Sequence, residues 1–121
     1  MSAKRFFQSF RDAYEGIRFA FEHESNFRFQ LFAALVVLFF TAWLPLRGSE
    51  LLLVLVMVFM VLVVELLNTA IERFIDLLKP RLHHYAKTVK DVMAGAVFLT
   101  SLAALIVGII IFTPYVVRLF K

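Results

Sequence analysis

LLLVLVMVFMVLVVELLNTAIERFID, residues 51–76, decides how this chain is built. Leu51 to Val64 carry no charge, so the segment begins as a helix suited to hydrocarbon. It does not finish that way. At about 100° per residue, Glu65, Asn68, Glu72 and Asp76 fall within a narrow sector of one helix face. A carboxylate at bilayer depth costs at least about 2.5 kcal/mol on insertion scales, and such residues mark functional sites.

The composition around that segment sets the class. Of 121 residues, 62% are hydrophobic and only 18% charged, which excludes a disordered chain and an ordinary soluble domain. The expected fold is an all-α membrane protein with three transmembrane helices, at about 29–46, 51–72 and 92–112. Nothing resembling a signal peptide is expected ahead of them, since residues 1–28 are rich in charge. With no cysteine in the chain, disulfides and thiolate metal sites are excluded.

The net charge is +4, and its distribution follows a membrane rather than a polyanion. Lys4, Arg5, Arg11, Arg18 and Arg28 precede the first span. Arg73, Lys79, Arg81, Lys87 and Lys90 lie between the second and third, whereas the first connection holds only Arg47. This positive-inside pattern predicts a multi-pass plasma-membrane protein with a cytoplasmic N-terminus and second loop, and the C-terminus outside. The basic residues need no nucleic acid to explain them.

Residues 4–23 have a helical apolar period: Phe6, Phe10, Ala13, Tyr14, Ile17 and Phe21 on one side, Arg11, Glu15, Arg18 and Glu22 on the other. They predict an amphipathic helix lying in the cytoplasmic interface. Continued helically, Glu24 returns to the apolar side, so either the chain bends there or its carboxylate faces a polar site. Pro45 predicts the end of the first span, with a short connection forcing an antiparallel pair. The second helix is expected to reach Leu78, before Pro80, with 79–89 a basic loop. Gly95, Ala96, Ala103, Ala104 and Gly108 would allow close packing of the third span. No repeat or linker divides the chain, so one domain over 1–121 is expected, with self-association the natural shelter for the acidic row.

Glycine-rich phosphate loops, paired-histidine metal motifs and a plausible hydrolase triad are all missing from the sequence. What remains is a set of hard oxygen ligands. Glu24 and Glu72 both approach the cytoplasmic boundary, and carboxylates joined by phosphate oxygens are usual ligands for Mg²⁺. Glu65, about two turns deeper, is placed to meet a hydroxyl that stays dissolved in lipid. Lys90 and Asp91 are expected to open the third helix, where a phosphate would offset the unfavourable position of Lys90 on the helix dipole. A different class also fits a lone membrane carboxylate: a small proton-coupled transporter using Glu65.

The segments ELLNTAIE (residues 65–72), AKTVKDVMAGAV (residues 86–97) and GIRFAFEHESNFR (residues 16–28) resemble the bacterial integral-membrane diacylglycerol kinase and undecaprenol kinase family. The resemblance covers nearly the whole chain. It implies a homotrimeric lipid kinase that moves the γ-phosphate of MgATP to a membrane lipid alcohol. By the same resemblance, Glu65 is the general base, Asn68 its neighbour in the site, and Glu24 and Glu72 the Mg²⁺ ligands. Lys90 would meet the transferring phosphate, with Arg5, Asp76, Asp91, Arg81 and His83 near the nucleotide. Asp12 departs from the tyrosine common in the family, which leaves any adenine-stacking contact there without support. AGAV after the Lys90–Asp91 pair and NFR after Glu24 look more like the undecaprenol kinase branch, so undecaprenol is the expected acceptor over diacylglycerol.

Overall fold

The computed structural model describes residues 2–78 and 83–121 of the chain, the side chain of His83 excepted. Their secondary structure is entirely helical: α1 (Ala3–His23), α2 (Ser25–Trp43), α3 (Gly48–Leu78) and α4 (His83–Leu119). The last three are long and apolar enough to cross a membrane. At about 1.5 Å per residue, α3 and α4 outrun a hydrocarbon core of about 30 Å, so part of each stands in the interface or in water.

Each boundary has a local cause. The Ser2 hydroxyl accepts from Arg5 N and caps α1. The chain turns at Glu24, an extended residue (φ −121°, ψ 110°) between two helices. Arg28 secures that corner by donating to the carbonyls of Phe21 at 2.7 Å and Glu22 at 3.3 Å, two of the carbonyls that the end of α1 leaves open. Ala20 and Phe27 bury on either side of the turn. Leu44 takes an extended conformation before Pro45, as the proline ring demands, and ends α2. Glu50 then reaches back to accept from Arg47 N at 3.0 Å, the carboxylate half of a capping box at the start of α3.

The packing core is a stripe along α3 made by Val54, Val61, Glu65, Thr69 and Ile75. Across it lie Ala86, Ile111 and Tyr115 of α4. Most large apolar side chains point outward instead, Phe59, Phe98 and Ile110 among them, as expected of a surface solvated by lipid or by other chains. Between α2, α3 and α4 lies a cavity of about 560 Å³, with Gln30 and Ser101 toward one end and Thr113 and Val117 toward the other. A Cβ added at Gly95 or Gly108 would meet no atom within 4 Å, so neither glycine is needed for packing within the chain.

Three expectations require correction. The first span is α2 over Ser25–Trp43 rather than 29–46, because the break at Glu24 lets the helix begin at once and Pro45 ends it early. The predicted loop 79–89 is mostly helix: α4 begins at His83, since nothing after Pro80 breaks a helix and polarity alone does not. Lys90 and Asp91 therefore sit about two turns inside α4, and the helix-start argument for Lys90 fails. At the other end α4 passes 112 to Leu119 with Pro114 inside it, leaving the Ile110 carbonyl without its usual donor. The expected extension of the second span to Leu78 agrees with α3.

Candidate active site

Glu65 lies on the buried stripe of α3 and is 2% exposed. Thr69 Oγ1 donates to its carbonyl at 3.0 Å, but among the described residues no side chain donates to its carboxyl. A buried carboxyl of this kind calls for a hydrogen-bonding partner. Val61, one turn away on α3, lines the apolar cavity between the helices.

Toward the end of α3 the acidic face continues as its spacing predicts. Asn68 Nδ2 donates to Glu72 Oε1 at 3.4 Å, a long bond that leaves most of the Glu72 acceptor capacity open. Glu24 meets the same helix from another direction, through Arg73 of α3. The corner between α1 and α2 thus brings Glu24 to the acidic face of α3. Of the two alternatives for Glu24, the bend is observed, and the carboxylate accepts from Arg73 Nη2 at 3.2 Å.

The remaining expected residues fall in four places. Lys90 Nζ lies 2.8 Å from Asp76 Oδ1, an ion pair that ties α4 to the outer turn of the acidic face. Asp91 accepts from Lys87, one turn back along α4, at 2.7 Å. Arg5 occupies the first turn of α1, where its backbone meets Ser2 and Ser9 and no ion pair joins it to the acidic face. Arg81 lies outside the described residues, and His83 enters only as the first backbone residue of α4.

Two connections escape a reading of the sequence. Arg73, which counts there only as part of the basic loop, bridges to Glu24 and stacks 5.3 Å from the Phe19 ring centroid. At the opposite end of α3, Tyr115 donates its hydroxyl to Glu50, linking residues 65 positions apart. Neither pairing has a sequence signal, because each depends on which helices meet.

Among the described residues, no three histidine or acidic side chains converge closely enough to cage a metal alone. Glu24 and Glu72 nevertheless supply the oxygen chemistry that a hard divalent cation prefers, and Mg²⁺ sites commonly combine one or two carboxylates with water and substrate phosphate. The arrangement fits a cation delivered together with a phosphorylated ligand.

The chain is similar to several known proteins. The family described as prokaryotic diacylglycerol kinase matches residues 11–112. The undecaprenol kinase of Bacillus subtilis (strain 168) is 38% identical over 110 residues, which cover 91% of this chain and 89% of that protein. The diacylglycerol kinase of Synechocystis sp. is 39% identical over 101 residues, 83% of this chain but 58% of its relative. The diacylglycerol kinase of Escherichia coli (strain K12) is 30% identical over 94 residues, 78% of this chain and 77% of that protein.

Proposed function

This chain belongs to the prokaryotic diacylglycerol kinase family, whose members are lipid kinases, and from that premise we propose that it transfers the γ-phosphate of ATP to the hydroxyl of a membrane lipid, with undecaprenol favoured over diacylglycerol. The observation that carries the proposal is Glu65: a buried carboxyl to which no side chain donates among the described residues, one turn from an apolar cavity and on the same face as Asn68 and Glu72. At about 560 Å³ the cavity falls in the usual range for ligand sites and suits the lipid chain. The competing reading as a proton-coupled transporter draws no support from the family match.

In the proposed reaction the lipid oxygen forms a bond to the γ-phosphorus as the bond to the bridging oxygen of ADP breaks. Glu65 accepts the hydroxyl proton, and Asn68 holds the neighbouring polar contact. Glu24 and Glu72 would hold Mg²⁺, which would supply positive charge to neutralise phosphate oxygens. Lys90 moves from Asp76 to the transferring phosphate, while Asp76, Asp91, Arg5, Arg81 and His83 serve the nucleotide side. Such chemistry asks for positioning and electrostatic stabilisation rather than a covalent intermediate on the protein. The charge distribution supports a cytoplasmic N-terminus and active site, with α1 on the membrane surface. The exposed apolar faces of α3 and α4, with packing-free Gly95 and Gly108, support assembly as a homotrimer.

The test is direct. Purified protein in bilayers is supplied with γ-labelled MgATP and either undecaprenol or diacylglycerol. Label is expected in the lipid phase with both, at the higher rate with undecaprenol. No transfer to either lipid, together with Glu65-dependent collapse of a proton gradient, would replace the kinase reading with transport.

A further inference from the structure

Arg73 follows Glu72 in sequence, yet its guanidinium serves Glu24, the other carboxylate assigned to the cation. Arg73 Nη2 lies 3.2 Å from Glu24 Oε1, and the carboxylate is the better sheltered partner, 20% exposed against 46%. Glu24 stands at the N-cap of α2 but makes no capping bond with its side chain. Glutamate is not among the side chains that favour this position, so its carboxylate is left to find a partner elsewhere. Here it is drawn across to α3, by a residue 49 positions away in the chain. The guanidinium is also steadied against the face of Phe19 at 5.3 Å.

We infer that Arg73 is a positioning residue: it holds Glu24 as a resting counter-ion and gives it up when a divalent cation arrives together with nucleotide phosphate. The inference rests on the assignment of Glu24 as a cation ligand. A guanidinium and a dication compete for one carboxylate oxygen, so Arg73 suppresses capture of the cation alone. A phosphate chain removes that competition, because it offers the planar guanidinium fork a second anion of matching geometry. Phe19 keeps the released guanidinium close to the site rather than free in water. Cation and nucleotide then bind cooperatively, which guards Glu24 and Glu72 against idle occupation.

The test uses the full chain in lipid nanodiscs, with Mn²⁺ as an EPR-visible probe, with and without a non-hydrolysable ATP analogue. R73Q is expected to bind Mn²⁺ alone about fivefold more tightly than the parent, the effect of removing a partly exposed ion pair. The analogue should enhance Mn²⁺ binding less in R73Q than in the parent. In an E24Q background, R73Q should leave Mn²⁺ affinity unchanged. R73K retains charge without the fork, so it should keep the parent affinity for Mn²⁺ alone and lose part of the enhancement; this variant decides the matter if R73Q does not fold. Equal Mn²⁺ affinity in parent and R73Q, or equal enhancement in parent and R73K, overturns the inference. If E24Q itself binds Mn²⁺ as the parent does, the cation assignment falls and the inference with it, whereas weaker binding by E24Q with no effect of R73Q refutes the inference alone.

Discussion

The two ends of α3 carry carboxylates treated in opposite ways. Near its start, Glu50 accepts from Tyr115 of α4 and from Arg47 N, so one side chain closes the turn and clamps two helices. Toward its other end, Glu65 has no side-chain donor among the described residues and Glu72 has only the long bond from Asn68. Acceptors satisfied within the chain serve structure. Acceptors that no described side chain fills, on a helix that also lines an apolar cavity, are the ones to test for function. The contrast separates two kinds of acidic residue that are chemically alike and lie on one helix.

The largest effect should come from the emptiest carboxylate. Glu65→Gln keeps the shape of the side chain and removes its ability to accept a proton; general base catalysis is worth about 10² to 10⁴ in rate, so lipid phosphorylation should fall by at least that lower factor. Binding of an ATP analogue should change little, because Glu65 is assigned to the acceptor. Near-parental turnover would show that the buried carboxyl here is only a packing feature, and the comparison would lose its meaning.

Lys90 offers an intermediate case, since it is paired in the structure and also assigned to the phosphate. If the charge acts on the transition state, Lys90→Ala should lower turnover about 100-fold while weakening nucleotide binding far less. Asp76→Asn leaves the ammonium in place and should be much milder. Equal losses in the two variants would make the Lys90–Asp76 pair a structural tie of the Glu50–Tyr115 kind. Measured rates and analogue binding for both proteins distinguish these outcomes.

Glu24 and Glu72 sharpen the contrast through metal dependence. Either change to Gln should raise the Mg²⁺ concentration needed for half-maximal activity several-fold, with the assembly in detergent unaltered on size exclusion. Loss of assembly with an unchanged Mg²⁺ titration would move both residues to the structural side.

How far the sequence discloses this division differs along the chain. The three apolar helices are legible because hydrocarbon leaves the backbone few options, and Pro45 and Pro80 punctuate them. Glu65, Asn68, Glu72 and Asp76 are legible because helical spacing alone places them on one face. The start of α4 is not: His83 to Val89 is polar enough to read as loop, yet it contains no glycine or proline to interrupt a helix. The partners of Glu24 and Glu50 are hidden for another reason. Arg73 and Tyr115 reach them only through helix packing, across separations that no local pattern encodes.

The smallest effect belongs to the Glu50 end, and it should appear in stability rather than in rate. Tyr115→Phe keeps the ring beneath the Arg118 guanidinium and removes only the hydroxyl that donates to Glu50. Glu50→Gln leaves an acceptor for Tyr115 and for Arg47 N, but a neutral and weaker one. Both variants should melt a few degrees below the parent. The double variant should lose less than the sum of the two singles, because each removes part of the same contact. Specific activity below the melting transition should remain within about twofold of the parent, since neither Glu50 nor Tyr115 is among the residues lining the cavity assigned to the lipid chain. Strict additivity of the two melting shifts would mean that Tyr115 and Glu50 act separately, and a large fall in activity at unchanged stability would place the clamp in the reaction after all.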